Sequence, residues 1–515
     1  MNGAESLVHT LVDGGIDVCF ANPGTSEMHF VAALDRISGM RCVLCLFEGV
    51  VSGAADGYAR MTGGPAATLL HLGPGLGNAL ANMHNAKKAR SAVVNVVGEH
   101  ARYHVKYESP LKSDIQGIAG PISHWVRTTA DAASVGADGA AAIAAARTPP
   151  GQIATLILPA DTAWSDGGVV GGVPTISEYK TVAEAEIEQA IAVLREDGPT
   201  LLLLGSAALF EEPLEIAGRI AARTGCDVLA ESFNSRMQRG AGRFAVRRLA
   251  YPIRQTVAAL ERYSNVVLVG SEIPIAFFAY PGMPSVLLPD DCRVVTLARP
   301  GEDCVGALAA LAEALGAGHN TPITRQAPER PAVPTGQITT QTIAAAIGLN
   351  LPENAIVVDE SITTGRGLAP ATAGAPPHDW LQVTGGSIGF GLPVATGAAI
   401  ACPERKVICL ESDGSGMYTP QALWTQAREG LDVTTLVFAN RSYNILKSEL
   451  ANVGGGDPGP RARDMLSLDR PNLQWTSLAN SMGVEARRVE TAEDLCVAIS
   501  RGLESEGPYL IEVVI

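Results

Sequence analysis

Short β-branched or aliphatic runs alternate with alanine-rich helical segments from one end of the chain to the other. The runs are DVCFAN, AATLLHL, SAVVNVVGE and ATLILPA, then TLLLLG, CDVLAE, NVVLVG and RVVTLA, then AIVVDE, KVICLE, TTLVFAN and YLIEVVI. A strand apolar on both faces must be covered on both faces, and an intervening helix is the usual way to bring in the next strand in parallel. The alternation predicts an α/β fold of parallel sheets with helices on either side. Two composition shifts break the series, WSDGGVVGGVPTISEYK at 164–180 and GAGHNTPITRQAPERPAVPTGQ at 316–337. Both read as linkers, because Gly and Pro interrupt periodicity without offering a core face. They leave three doubly wound parallel-sheet units, expected at 1–165, 182–318 and 338–515, and 515 residues suffice for that many cores.

Charge narrows the partners. The formal net charge of −15, with no Lys/Arg run, disfavours nucleic acid and anionic membranes, which bind dense basic surfaces. Nine cysteines, several of them inside apolar runs, suit buried thiols of a reducing compartment, and the pair in CVLC (Cys42 and Cys45) has no second CxxC to complete a metal site. The start MNGAESLVHTLVDGG lacks the basic n-region of a signal peptide, and apolar runs such as TLLLLGSAALF fall short of the ~20 residues needed to cross a bilayer. A cytoplasmic protein without a membrane partner is expected.

In doubly wound sheets ligands gather at the carboxyl ends of strands. That rule selects NPGTSE, FEGVVSGAADGYAR, HLGPGLGN, DESITTGRG and ESDGSGM. The glycines of GPGLGN lack the later acidic residue of a dinucleotide fingerprint. In ESDGSGM, Asp413 follows the apolar run KVICL, and capping alone would explain an Asp-Gly pair at a strand-to-helix turn. Asn440, however, closes the strand VTTLVFAN with 25 residues between it and Gly414. A carboxylate and a carboxamide at the ends of neighbouring parallel strands can put two oxygens on one hard cation such as Mg2+, with the Ser442 carbonyl as a third. The turn amides at Gly414 and Ser415 would then meet phosphate oxygens.

This spacing resembles the signature of the thiamine diphosphate (ThDP) enzymes, Gly-Asp-Gly and a later Asn, with Ser412 standing where the first glycine is usual. Two further stretches are similar to the family. In CLFEGVVSGAADGYARMTG, Glu48 ends a strand ahead of a Gly/Ala-rich helix, where the family keeps the buried acid that acts on the aminopyrimidine ring. In GGSIGFGLPVATGAAI, Ile388 takes the place of the aliphatic prop that bends the cofactor, with backbone contacts from Gly386 and Ile388. The resemblance also places Thr363, in DESITTGRG, among the cofactor-binding residues. It covers nearly the whole chain, in the order of the acetohydroxyacid synthase and benzoylformate decarboxylase branch. It implies ThDP and Mg2+ as cofactors, and a homodimer or homotetramer in which Glu48 serves a cofactor held by the partner.

The same resemblance implies chemistry beside the carbonyl of a 2-oxo acid. Thr25, in NPGTSE, stands where benzoylformate decarboxylase has a substrate-binding serine, and His71 stands at the position of a catalytic histidine, able to move a proton near neutral pH. The decarboxylase's second histidine has no counterpart in SEIPIAFFAYPGMPS, whereas acetohydroxyacid synthases usually lack the first. NRSYNILKSELANVGGGDPGPRARDML is similar to acetolactate-synthase-like large subunits. The expectation is an acetolactate synthase-like decarboxylating carboligase. The alternatives are a simple 2-oxo acid decarboxylase and, in another class, a catalytically silent scaffold. FAD is not expected, since the middle unit is short.

Overall fold

The computed structural model describes every residue of the chain except Pro174. It contains three α/β units, each built on one sheet. The first sheet has six parallel strands in the order Arg41–Leu44, Val18–Asn22, Ala66–Leu70, Val93–Glu99, Ile153–Pro159 and Trp125–Thr128. The second has five in the order Arg247–Arg248, Asp227–Ala230, Thr200–Leu204, Asn265–Val269 and Arg293–Ala298. The third has seven in the order Glu485–Val489, Tyr509–Val514, Val433–Ala439, Val407–Ser412, Ile356–Glu360, His378–Gln382 and Arg236–Arg239.

Each apolar run picked out above is a strand. The strands without such a run are mostly polar or short edge strands, such as Arg41–Leu44, Arg247–Arg248 and Glu485–Val489, which need apolar residues on at most one face. The last strand of the third sheet departs from the all-parallel expectation. Arg236–Arg239 comes from the middle of the chain and pairs antiparallel with His378–Gln382. An ion pair and two hydrogen bonds hold it there: Arg236 Nε donates to Asp379 Oδ1 at 2.7 Å, and its Nη1 donates to the carbonyls of Arg60 and Met61.

One core runs through the first and third units, because the helices Glu48–Thr62 and Gly391–Ala401 pack at backbone distance. A Cβ at Gly397 would lie 1.9 Å from the Ala54 carbonyl oxygen, and one at Gly57 would lie 2.2 Å from that of Val394. Alanine at either site would force the helices apart. Arg60, fully paired with Asp56, also donates to the carbonyls of Gln382 and Ser235, so one guanidinium ties all three units together. Among the described residues no helix is long and apolar enough to cross a membrane.

Candidate active site

The carboxyl ends of the third sheet carry the first cluster. Asp413 begins a short helical turn after Val407–Ser412, and Asn440 follows the neighbouring strand Val433–Ala439. Asp413 is 2% exposed; its Oδ2 accepts the Arg441 amide at 2.6 Å, and its Oδ1 has no partner. Burial pushes its carboxyl up to about 6, against the pull of the Arg441 amide. Asn440 Oδ1 accepts the Ser442 amide at 2.9 Å, and the Ser442 carbonyl accepts the Asn444 amide at 2.9 Å. Both oxygens keep a second lone pair. Arg441, between them, has a left-handed φ of 56°. Similar strain falls at Leu72 beside His71 and at Ile362 beside Thr363, both with φ of 48°. Strained backbone of this kind persists where the surroundings over-determine it.

The donor set fits a magnesium-bound diphosphate. A buried carboxylate oxygen without a donor, beside a carboxamide and a carbonyl oxygen, is the hard oxygen environment that Mg2+ takes. Ser412 does not disturb the turn, since its φ and ψ of −94° and 146° are extended and open to any residue. Its hydroxyl donates to the Glu360 carbonyl at 3.1 Å. Gly414 is required, because the Tyr443 ring would sit 2.6 Å from a Cβ there. The Ser415 hydroxyl is spent on Glu411 and on the Ser412 carbonyl, which leaves the backbone amide as the group it can offer a phosphate.

Two further acids lie beneath this turn. Glu360 and Glu411 end adjacent strands in direct register, and both are fully buried. Glu360 accepts the amides of Gly389 at 2.9 Å and Gly391 at 2.6 Å, while Glu411 accepts the Ser412 amide at 3.0 Å and the Ser415 hydroxyl. The pair therefore ties the Ile388 loop to the Asp413 turn. Burial pushes Glu360 up to about 7; burial, and then the charge of Glu360, holds Glu411 well above the usual carboxylate range. Sequence reading passed over both, although an acid closing an otherwise apolar run was a visible signal. Groups raised in the fold bind protons more tightly than in the unfolded chain. The stability that Glu360 contributes is therefore present in full below about 4.5 and lost as the pH rises through about 7, and Glu411 acts in the same direction. Thermal unfolding of the metal-free protein is expected at lower temperature at about pH 8 than at about pH 5, with a flatter slope in Glu411→Gln. A slope unchanged by that substitution would place the proton elsewhere.

The loop 384–389 joins the C-terminal unit to the helix Leu72–Ala89. Asn82 donates to both Gly49 and Gly389 carbonyls, at 2.9 and 3.0 Å, and Asn85 brackets Ser387 from both sides. Gly386 has φ of 73° and lies under Phe277, whose ring would come within 2.3 Å of a Cβ there. Ile388 is half-buried at the mouth of this loop, and Thr363 lies after the Ile356–Glu360 strand.

The first unit carries the second cluster. Glu48 opens the helix Glu48–Thr62, 7% exposed, and Asn78 Nδ2 donates to its Oε2 at 2.9 Å. Gly75 leaves its other oxygen open, with a Cβ position 3.2 Å away. Glu48 and Asp413 share no hydrogen-bond partner among the described residues. His71 caps the helix Leu72–Ala89, and its Nδ1 lies 2.8 Å from Glu27 Oε2. Glu27, missed in the sequence, is 1% exposed; it also accepts the Gly24 amide at 2.7 Å, and its Oε1 has no partner. Gly24 and Gly98 make room for this dyad. Their Cβ positions would fall 2.2 Å from His71 Nδ1 and 1.6 Å from Glu27 Oε1. Thr25 follows Gly24 and is exposed.

The N-terminal TPP binding domain of thiamine pyrophosphate enzymes matches residues 1–122, and the C-terminal TPP binding domain matches residues 367–513. A Mycobacterium tuberculosis protein, provisionally described as acetolactate synthase large subunit IlvX, is 54% identical, covering 100% of this chain and 99% of its own length. A benzoylformate decarboxylase of Pseudomonas aeruginosa is 28% identical over 97% of this chain and 96% of its own. In fold, a ThDP-dependent 4-hydroxybenzoylformate decarboxylase of Rhodococcus jostii superposes with a TM-score of 0.86 at 24% identity, covering 99% of this chain and 98% of that one. With binding domains matched at both ends of the chain and a full-length relative above half identity, this protein belongs to the thiamine pyrophosphate enzymes.

Proposed function

We propose that the chain is a ThDP- and Mg2+-dependent enzyme that decarboxylates a 2-oxo acid and joins the remaining fragment to a second carbonyl compound, as an acetolactate synthase does. The observation that carries the cofactor half of this reading is Asp413, buried with one oxygen unpartnered beside Asn440 and Ser442. Those three would hold the metal, with the amides at Gly414 and Ser415 toward the diphosphate and Thr363, Gly386 and Ile388 along the rest of the cofactor. When bound, ThDP supplies a nucleophilic carbon and an electron sink for the departing carbon dioxide. Glu48 would hold the proton exchanged with the aminopyrimidine ring. In keeping with the family resemblance, we read the working unit as at least a dimer, with 1–165, 182–318 and 338–515 as its domains. A cytoplasmic setting fits the nine free cysteines. Operation without FAD fits the strand ends of the middle sheet, where Arg90 Nη1 donates to Ser206 Oγ at 2.6 Å and Glu231 lies against Gly205.

The fate of the fragment depends on proton delivery, and here the Glu27–His71 pair favours a second reading, a simple decarboxylase. A carboxylate on Nδ1 orients the imidazole and keeps its far nitrogen, Nε2, available to donate or accept a proton, while Thr25 would meet the substrate carboxylate. The deciding experiment supplies ThDP, Mg2+ and pyruvate or an aromatic 2-oxo acid, then compares carbon dioxide with aldehyde and hydroxyketone products. Mostly ligated product supports the first reading and stoichiometric aldehyde the second; no carbon dioxide from any 2-oxo acid would leave the scaffold alternative. His71→Ala is expected to lower turnover by about 10²-fold with ThDP binding intact. Glu27→Gln, which leaves the imidazole without its carboxylate partner, is expected to lower turnover with ThDP binding intact, and unchanged turnover would remove the pair from the mechanism.

A further inference from the structure

A cavity of about 410 Å³ opens beside the Asn440 turn. Thr363 and Asn440 line one side of it, and Thr340, Thr364, Arg366 and Lys447 continue the wall away from the metal set. No Asp or Glu side chain lines it. Among the described residues neither Arg366 nor Lys447 has a hydrogen-bonded or ion-paired partner for its charged group, in a chain whose net charge is −15. The acid nearest in sequence to Lys447 is taken. Glu449, two residues on in the helix Asn444–Asn452, accepts the Tyr251 hydroxyl at 3.3 Å on one oxygen and the Tyr280 hydroxyl at 2.9 Å on the other. That double contact holds the helix to the middle unit, and Lys447 is left half-buried and facing a polar space.

Two cations drawn from separate elements, in one cavity otherwise lined by hydroxyls, carboxamides and Ile515, form a site for a compact, multiply charged oxyanion. Arg offers a fork of donors and Lys a point charge, both suited to phosphate. A diphosphate held through one Mg2+ would still carry net negative charge, and Asn440 belongs both to the candidate metal set and to the lining of this cavity. We propose that Arg366 and Lys447 form a phosphate seat beyond the metal turn, taking the terminal phosphate of the cofactor or a free phosphate beside it. The first source rests on the reading of Asp413 and Asn440 given above.

The test is calorimetric titration of wild type, Arg366→Gln, Lys447→Gln and the double variant, after thermal unfolding has shown that all four are folded. Each single change is expected to weaken Mg2+-ThDP binding about tenfold, with a shallower dependence on salt, and to leave the affinity for unphosphorylated thiamine unchanged. That pattern identifies the cofactor's own phosphate. If ThDP affinity is unaltered but the ThDP-loaded wild type binds inorganic phosphate and the double variant does not, the seat takes a free phosphate. If wild type binds no ThDP, the metal reading fails while the seat is still judged by inorganic phosphate on the unloaded protein. A double variant that matches wild type for both ThDP and inorganic phosphate overturns the proposal.

Discussion

Asp413→Ala is expected to weaken Mg2+-dependent ThDP binding by about 10²-fold or more, the largest loss of affinity of any single change in the third unit. Two effects add. The metal loses a charged oxygen, and the Arg441 amide loses the acceptor that fixes the strained Asn440–Ser442 turn. A hydrogen bond to a charged group is worth about 1.5–3 kcal/mol, which by itself reaches that factor. Were Asp413 only a turn former, alanine would cost about 1 kcal/mol of stability and leave the metal dependence untouched. The pH dependence separates the cases further. Burial raises the Asp413 carboxyl to about 6, so the metal must displace a proton below that pH. Affinity should be level above about pH 7 and about tenfold weaker at about pH 5, as one proton is taken up per metal lost. In the metal-free protein the sign is opposite for stability: the contribution of a raised carboxyl is complete below 3.8 and lost as the pH rises through about 6. Titrating wild type and variant with ThDP and Mg2+ at both pH values checks each point, and equal affinities would move the cation elsewhere.

The division between what was legible in the residues and what was not follows burial. Strands covered on both faces, such as Thr200–Leu204 with its four leucines, must be largely apolar and are plain in the sequence. Arg236–Arg239 is not, since its pairing is set by the Arg236–Asp379 ion pair across 143 positions of chain. The site divides in the same way. Asp413, Asn440 and Glu48 sit directly after apolar runs, where spacing along the chain is enough to find them. Glu27 could not be found so, because what marks it is the room left by Gly24 and Gly98, which are neighbours only in space. Glu360 and Glu411 ended strands already identified. Their significance came only from the register that sets them opposite each other.

Glu48→Gln is expected to lower turnover by about 10²- to 10⁴-fold, the range that a positioned proton-transfer group contributes, while ThDP affinity changes by less than about threefold. The substitution isolates one property. Glutamine matches the shape of glutamate, can still accept from Asn78 Nδ2 and still fits beside Gly75, but it cannot release or take up a proton. The competing role is electrostatic: an acid at the first position of the Glu48–Thr62 helix favours the helix dipole by about 0.3–1 kcal/mol. Loss of that role would appear as a modest fall in unfolding temperature with turnover preserved. Magnitude therefore decides between the two, since a factor of 10² is about 2.7 kcal/mol and exceeds anything a surface dipole term supplies. Steady-state carbon dioxide release and a parallel ThDP titration on the same preparation test both halves, and undiminished release would remove Glu48 from the chemistry.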